Sequence, residues 1–124
     1  MRALIVDNSR AMRIMLSRFM KELGFETADA EHGKAALAKL ESEPLPDLML
    51  CDWNMPEMNG LELVKAVRSE GKYASVKILM VTTETELSHV TRAIEAGANE
   101  YLMKPFMKES LQAKVEVLGL GSHA

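Results

Sequence analysis

Five strand-like segments alternate with five amphipathic segments along this chain, and this alternation restricts its possible folds more than any other feature. Four of the strand-like segments are unbroken apolar runs, at residues 3–6, 48–51, 78–81 and 101–103. Such runs are typical of strands that are covered on both faces. The fifth segment, residues 25–29, is more polar and is predicted to be an edge strand.

Helical patterns occupy the stretches between the strands. In the first helix, apolar residues recur at helical spacing and Gly24 follows as a stop. A second helix is predicted over residues 33–41, ended by Pro44 and Pro46. The remaining patterns use Leu61, Val64 and Val67 in the third helix, Leu87, Val90 and Ile94 in the fourth, which closes at Gly97, and Leu111, Val115 and Leu118 in the fifth, which closes near Gly119.

Alternating strands and helices favour a parallel sheet with helices on both faces. Since crossovers between parallel strands are right-handed, few topologies remain. The predicted fold is α/β, a flavodoxin-like doubly wound (βα)5 domain whose five-stranded parallel sheet has the order 2-1-3-4-5. The 124 residues are enough for one such domain, which we expect over residues 1–119, followed by a short C-terminal tail at 120–124.

Composition excludes several classes of protein. The net charge of -3 gives no reason to expect binding to nucleic acid or to an anionic membrane. The single cysteine, Cys51, rules out an internal disulfide and fits a reducing cytoplasm. Because the apolar runs are too short for a signal peptide or a membrane span, we expect a cytoplasmic protein.

Polar residues follow the four apolar runs at once or nearly so. They are Asp7 and Asn8, Asp52, Thr82 and Thr83, and Lys104. In a doubly wound sheet, ligands bind at the carboxyl ends of the strands, so these side chains are predicted to meet in one crevice. Any one of them alone is more often a helix cap or a solvated surface residue. Their joint occurrence at four strand ends favours a functional site.

The predicted set of side chains suits phosphoryl transfer. Two nearby carboxylates repel each other unless a cation relieves them, and a few oxygen ligands with room for water suit Mg2+. An aspartate is a competent nucleophile for forming an aspartyl-phosphate. Lysine and hydroxyl groups then neutralise the phosphoryl oxygens, which is most of what this reaction requires.

Four stretches together resemble the response-regulator receiver family over essentially the whole chain. They are Val-Asp-Asn-Ser at 6–9, Cys-Asp-Trp-Asn-Met-Pro-Glu-Met-Asn-Gly at 51–60, Met-Val-Thr-Thr at 80–83 and Tyr-Leu-Met-Lys-Pro-Phe at 101–106. The resemblance is greatest to the single-domain, CheY-like chemotaxis branch. It implies that Asp52 is the phosphoacceptor and that Mg2+ is bound by Asp7, by Asp52 and by the backbone carbonyl of Asn54.

The resemblance also assigns roles to the last two strands. It implies that the Thr82 hydroxyl moves toward the phosphoryl group and that Lys104 pairs with a phosphoryl oxygen. Tyr101 is implied to turn inward when Thr82 moves, and the bond between Lys104 and Pro105 is implied to be cis. Asn54 and Glu84 are implied to flank the crevice and to tune the lifetime of the phosphoryl group.

Two residues depart from the family pattern. Asn8 replaces the second of two adjacent acids, so we expect weaker Mg2+ binding, with its amide holding a metal-bound water. Thr83 stands where the family has Ala, Gly or Ser, and its β-branched side chain is expected to narrow access to Asp52. Rates of phosphorylation and dephosphorylation in Thr83→Ala test the second expectation.

The predicted function is a phosphorylation-controlled switch. A histidine kinase, a phosphotransfer protein or a small phosphodonor is expected upstream. A protein effector is expected downstream, contacting the face formed by the fourth helix, fifth strand and fifth helix, from about residue 86 to 118. A flagellar motor-switch protein and a phosphorelay component are both candidates for that effector. Because only a short tail follows the fifth helix, the output is expected to be a protein contact by a monomer.

Three alternatives stay open at this point. The first alternative is a binding module that no longer needs phosphorylation, for which Asn8 is the only hint. The second is a receiver domain cut from a longer multidomain regulator. The third alternative, an aspartate-nucleophile phosphatase, is disfavoured because Asn54 stands where such enzymes place a second acid. We therefore do not expect a true enzyme.

The remaining residues with reactive or large side chains have plainer interpretations. Cys51 is expected to be a buried strand residue that points away from the crevice, since neighbouring strand residues face opposite sides. Trp53 is expected to be partly exposed, and Met55 and Met58 to contact a partner. The three histidines, His32, His89 and His123, lack the spacing of metal ligands.

Overall fold

The computed structural model of the chain, which describes residues 1–83 and 88–120, contains one sheet of five parallel strands. The strand order is β2-β1-β3-β4-β5, as predicted. The strands are β1 (Arg2–Val6), β2 (Glu26–Ala30), β3 (Leu48–Asp52), β4 (Lys77–Thr83) and β5 (Glu100–Lys104). The helices are α1 (Arg10–Glu22), α2 (Gly33–Ser42), α3 (Gly60–Arg68), α4 (Val90–Ala96) and α5 (Lys108–Val117), with a short 3-10 helix at Gly71–Tyr73.

Apolar side chains cover both faces of the sheet. Alternate residues of a strand face opposite sides, so Leu50 and Cys51 enter different clusters. The cluster that includes Cys51 lies under α2, α3 and α4, and the one that includes Leu50 lies under α1 and α5. This two-sided burial is the reason that the central strands are continuously apolar, and it makes the domain doubly wound.

Polar side chains cap the starts of α1 and α3, the helices that follow β1 and β3. The Ser9 side chain accepts the N–H of Met12 at the start of α1. At the start of α3, Asn59 and Glu62 form a reciprocal capping box. These caps place short loops beside the carboxyl ends of β1 and β3, where the predicted crevice lies.

Some boundaries differ from those predicted by the sequence. The polar residues Asp52, Thr82 and Lys104 belong to the ends of their strands rather than to the loops beyond, because backbone pairing continues through them. The prediction that the last strand is covered on both faces was wrong: in β5 only Leu102 is buried, since β5 is an edge strand.

Strand β2 and helix α4 also differ slightly from their predictions. Strand β2 begins and ends one residue later than predicted. Helix α4 begins at Val90, while Leu87, which the sequence pattern assigned to this helix, lies outside the described residues. Within residues 1–83 and 88–120, no helix is long and apolar enough to cross a membrane.

Candidate functional site

Four strand ends bring the predicted polar residues to one edge of the sheet. Asp7 directly follows β1, Asp52 ends β3, Thr82 is the next-to-last residue of β4, and Lys104 ends β5. In the parallel register, Asp52 pairs with Val81, and Thr83 pairs with Lys104. Residues as far apart in the sequence as Asp7 and Lys104 therefore meet at a single crevice.

Lys104 lies between the two carboxylates of this crevice. Its Nζ atom is 3.3 Å from Asp52 Oδ1 and 3.5 Å from Asp7 Oδ2. Both acids are buried, with 2% of Asp7 and 7% of Asp52 exposed. Two buried carboxylates and one ammonium leave an excess of negative charge, which disposes the crevice to bind a further cation.

One carboxylate oxygen of Asp7 accepts a hydrogen bond, and the other accepts none from the described residues. Asp7 Oδ1 accepts the backbone N–H of Ser9 at 2.8 Å, and Arg13 donates to the backbone oxygen of Asp7 at 2.7 Å. Among the described residues, nothing donates a hydrogen bond to the buried Oδ2 atom. Within the described part of the chain this oxygen has only the longer ion pair with Lys104 Nζ, at 3.5 Å, and a metal ion would give it a direct contact.

The electrostatics of Asp52 show the same imbalance. Burial raises the pKa of the Asp52 carboxyl above its ordinary value, and the neighbouring Asp7 carboxylate raises it further. The Lys104 ammonium and a hydrogen bond from the Asn54 backbone N–H act in the opposite direction and lower this pKa. A divalent cation at the site would favour the ionised form of Asp52, which is the nucleophilic form.

The donor set fits Mg2+ better than a metal that prefers nitrogen or sulfur ligands. Two carboxylates are present, and the described residues contain no group of three or more His, Cys, Asp or Glu side chains arranged to hold a metal. Mg2+ commonly takes one or two carboxylates and completes its shell with carbonyl oxygen and water. Asn54, whose backbone already contacts Asp52, is adjacent and exposed to solvent.

The side chains assigned to switching occupy defined places beside this cluster. Thr82 is 1% exposed, and its hydroxyl donates to the Thr83 carbonyl oxygen at 3.3 Å. Tyr101 is half-buried against the apolar cluster, with Lys114 Nζ 4.7 Å from its ring centroid. The peptide bond between Lys104 and Pro105 is cis, as expected. The movement of Thr82 and Tyr101 stays a prediction.

The two departures from the family pattern both lie beside the crevice. Asn8 follows Asp7 and is exposed, and Thr83 is half-buried at the end of β4 next to Lys104 in the register. Their positions agree with the expectations for metal binding and for access, which stay predictions. Glu84 and His123 lie outside the described residues.

Residues near the crevice with plainer predicted roles can also be placed. Cys51 is fully buried on the opposite side of β3 from the crevice, and burial together with the charges of Asp52 and Asp7 raises the pKa of its thiol. The prediction that Met55 contacts a partner was wrong, because this side chain is 7% exposed and belongs to the core. Met58 is half-buried against Gly33.

Sequence reasoning missed two residues that shape the site. Gly60 brings the start of α3 against the end of β3: a Cβ atom there would lie 2.6 Å from the Asp52 carbonyl oxygen. The signal for Gly60 was the Asn-Gly pair at a helix start. The second is His89, whose ring stacks on Trp53. No local pattern predicts that contact, because the two residues lie on different elements.

Comparisons with known proteins agree with this geometry. A family model described as the response regulator receiver domain matches residues 3–116. The chain is 43% identical to the chemotaxis protein CheY1 of Helicobacter pylori, over 95% of this chain and 96% of that protein. It is 46% identical to a chemotaxis protein CheY homolog of Campylobacter jejuni, over 98% of this chain and 95% of that protein.

Solved structures show the same likeness in three dimensions. The chemotaxis protein CheY4 of Vibrio cholerae superimposes on this chain with a TM-score of 0.87 and is 38% identical to it. The match covers 94% of this chain and 97% of the CheY4 chain. The receiver domain of NtrX from Brucella abortus, at 23% identity and a TM-score of 0.86, shares the fold. From its sequence, its topology and the grouping of its polar strand ends, the chain belongs to the family of response regulator receiver domains and is similar to chemotaxis proteins of the CheY type.

Proposed function

We propose that this receiver domain is a switch that accepts a phosphoryl group on Asp52, with Mg2+ bound beside it. The observation that carries this proposal is the position of Lys104 Nζ within 3.5 Å of both buried carboxylates. Asp7, Asp52 and the Asn54 backbone carbonyl would hold the metal, with Asn8 contributing through water. The bound metal supplies positive charge that offsets the charge of the transferring phosphoryl group.

The chain's own residues divide the work of transfer. An Asp52 carboxylate oxygen attacks the phosphorus of the donor, and the bond from phosphorus to the leaving group breaks as that group takes the electron pair. Lys104 neutralises one phosphoryl oxygen, and the Thr82 hydroxyl donates to another. Because Asn54 occupies the place where a second acid would protonate a leaving group, we propose no catalytic turnover of external substrates.

The proposed output is a change of one face that a protein partner binds. When Thr82 moves, Tyr101 occupies the space that it leaves, and α4, β5 and α5 adjust as a population shift. Exposed apolar side chains occur on or beside this face at Ile94, Met107 and Val117. The first two residues of the predicted face, at positions 86 and 87, lie outside the described residues.

The family and the names of the relatives support a proposal for the upstream and downstream partners. We propose a histidine kinase or phosphotransfer protein as the phosphodonor and a protein effector as the target. Since similar proteins are chemotaxis proteins, a flagellar motor-switch protein is the leading candidate. We also propose that residues 1–119 form the receiver unit, that residues 120–124 are a tail, and that the domain acts as a monomer.

Intact-mass measurement with a small phosphodonor, acetyl phosphate, tests the proposal. The wild type is expected to gain one phosphoryl adduct that depends on Mg2+, and Asp52→Asn is expected to gain none. Asp47→Asn is the matched control, because Asp47 directly precedes β3, at the opposite end of the strand from Asp52, and its side chain accepts the backbone N–H of Arg2. It is expected to behave like the wild type.

A binding module that does not need phosphorylation is the second candidate, and Asn8 is the observation that favours it. The same measurement separates the two. If the folded wild type gains no adduct at any Mg2+ concentration, the proposed switch is wrong and the binding module takes its place. If Asp52→Asn is still labelled, the phosphoacceptor has been assigned to the wrong residue.

A further inference from the structure

An aromatic stack joins the loop after Asp52 to the start of α4. The rings of Trp53 and His89 lie with centroids 4.5 Å apart and planes 10° from parallel. Trp53 directly follows Asp52, and His89 directly precedes Val90, the first residue of α4. The stack therefore connects the crevice to a helix that is separated from it in sequence.

The backbone of Trp53 is connected to the start of α3 and, through the next residue, to Asp52. Its carbonyl oxygen accepts the N–H of Gly60 at 2.8 Å, which ties it to the start of α3. The next residue, Asn54, donates its backbone N–H to Asp52 and is the residue proposed to offer its carbonyl to Mg2+. Any displacement of Trp53 therefore changes the position of the Asn54 peptide groups.

His89 has no other described interaction that would explain its place. Its side chain makes no capping hydrogen bond to α4. Among the described residues, nothing forms a hydrogen bond with its buried Nδ1 atom. Burying an unpaired ring nitrogen is unfavourable, so the ring stays beside Trp53 because the stacking contact offsets that cost.

We propose that His89 is a positioning residue for phosphoryl transfer, acting through Trp53 on the backbone of Asn54. This inference rests on the proposed function of Asp52 as phosphoacceptor. While the stack is formed, the Asn54 N–H and carbonyl keep the positions that Asp52 and the metal require. When it is lost, the loop samples other positions and the reactive geometry is populated less often.

Two variants separate the stack from the imidazole chemistry of His89. His89→Ala removes the ring, while His89→Phe keeps a planar ring and removes the unpaired nitrogen. Ser88→Ala is the matched control at the neighbouring exposed position. Each protein is compared for thermal unfolding, for Trp53 emission and acrylamide quenching without donor, and for the initial rate of Mg2+-dependent labelling by acetyl phosphate.

In His89→Ala, Trp53 emission is expected to move to longer wavelength with stronger quenching, because one face of the indole is uncovered. Labelling is expected to slow by about two- to tenfold, the range of effects for one aromatic pair. His89→Phe is expected to restore both properties, and Ser88→Ala to change neither. Since Trp53 is the only tryptophan, the emission reports on the surroundings of this side chain alone, and the Ser88→Ala and His89→Phe variants identify the part that is due to the stack.

The outcomes that overturn the inference are distinct from failure of the proposed function. The positioning role is wrong if His89→Ala changes neither emission nor rate, if the rate falls without a change in emission, or if His89→Phe fails to restore the rate. If the wild type is never labelled, the proposed phosphoacceptor role fails, and positioning for transfer fails with it. An altered emission in His89→Ala would then show only that the stack exists.

Discussion

At the scale of single residues, the crevice is an arrangement of charge that is incomplete without a cation. Asp7 and Asp52 are buried, and among residues 1–83 and 88–120 only Lys104 forms ion pairs with both. The packing of their strands keeps the two carboxylates close together although they repel each other, and this repulsion lowers the stability of the folded chain. That cost is expected where a site is prepared for a ligand.

Replacing Asp52 with Asn is therefore expected to stabilise the metal-free protein. The raised pKa means that folded Asp52 keeps its proton to a higher pH than the unfolded chain does. The wild type accordingly loses free energy of unfolding as the pH rises above the ordinary value of 3.8, and the Asn variant is spared this loss. At neutral pH the gain is expected to be on the order of 1 kcal/mol, since solvent screens part of the repulsion.

Urea unfolding in the presence of a chelator measures this difference. The gain in free energy of unfolding in Asp52→Asn is expected to be greatest near neutral pH. It is expected to shrink as the pH falls and the Asp52 carboxyl of the wild type becomes protonated. An advantage that grows as the pH falls would contradict the assignment. Asp29→Asn, which alters an exposed acid, serves as the control.

Restoring an acid at position 8 is expected to strengthen Mg2+ binding. Asn8 is exposed next to Asp7, so Asn8→Asp adds a charge close to the proposed metal. Because solvent screens this charge, we expect a gain of about three- to thirtyfold in affinity. A calorimetric titration with Mg2+ measures this change in affinity. Asn8→Ala is expected to bind Mg2+ more weakly than the wild type does. Equal affinity in all three proteins would remove Asn8 from the site.

At the scale of elements, the junction between β3 and α3 determines where Asp52 points. Gly60 begins α3, and its N–H bonds to the Trp53 carbonyl oxygen just after the end of β3. A Cβ atom at Gly60 would lie 2.6 Å from the Asp52 carbonyl oxygen and 2.9 Å from Trp53 Cα, and these backbone atoms shift less easily than the end of a flexible side chain. The close approach of a helix start to a strand end thus depends on glycine.

Gly60→Ala is expected to lower the free energy of unfolding by about 1–3 kcal/mol and to slow labelling of Asp52. The reason is the distance of 2.6 Å between the added Cβ and the Asp52 carbonyl oxygen. Gly71→Ala is the control, since a Cβ at Gly71 would meet nothing within 4 Å. If both variants unfold at the same urea concentration as the wild type, the close approach is not required.

Arg68 connects several elements at the opposite end of the sheet from the crevice. Its guanidinium donates to the backbone oxygens of Tyr73, Val76 and Gly97 and to Asn99 Oδ1, at distances of 2.6–3.0 Å. These bonds join the end of α3 to the 3-10 helix, to the start of β4 and to the loop after α4. Lysine cannot reproduce this fork of donors.

Arg68→Lys is accordingly expected to destabilise the protein by about 2–4 kcal/mol, because buried carbonyl oxygens lose their donors. Urea unfolding measures the change. Arg92→Lys, at an exposed position of α4, is the control and is expected to have an effect within about 0.5 kcal/mol. A similar small effect for Arg68→Lys would show that water replaces the guanidinium.

At the scale of the whole molecule, the sheet consists of a rigid centre and two edges. Strands β1, β3 and β4 each pair on both sides, whereas β2 and β5 pair on one side only. The centre carries both acids and Thr82, while Lys104 and Tyr101 belong to the edge strand β5. This division places both acids, including the proposed phosphoacceptor Asp52, on the more stable part of the sheet, and places Tyr101, which is proposed to respond, on the more adaptable edge.

Hydrogen exchange is expected to reflect that division. The amides of β1, β3 and β4 should exchange slowest, with protection approaching global stability, and those of β2 and β5 should exchange faster. Mass spectrometry of peptides from each strand measures this order. Exchange in β5 as slow as in β3 would argue against a responsive edge. Labelling of Asp52 is expected to change exchange in β5 more than in β1.

The sequence by itself determined the order of the elements and the grouping of the polar residues. Apolar runs and helical periodicity are local properties, and parallel strands bring their carboxyl ends to one edge, so Asp7, Asp52, Thr82 and Lys104 had to meet there. The recognisable motifs around these residues added the expected roles. The cis bond before Pro105 followed from that resemblance.

Only the tertiary structure decided how the elements contact one another. The burial of Met55, the need for glycine at position 60, the carbonyl contacts of Arg68 and the stacking of Trp53 on His89 all depend on distances between separate elements. The physical reason is that such contacts arise from the packing of surfaces in three dimensions. Spacing along the chain, which is what a sequence pattern records, does not specify which surfaces meet.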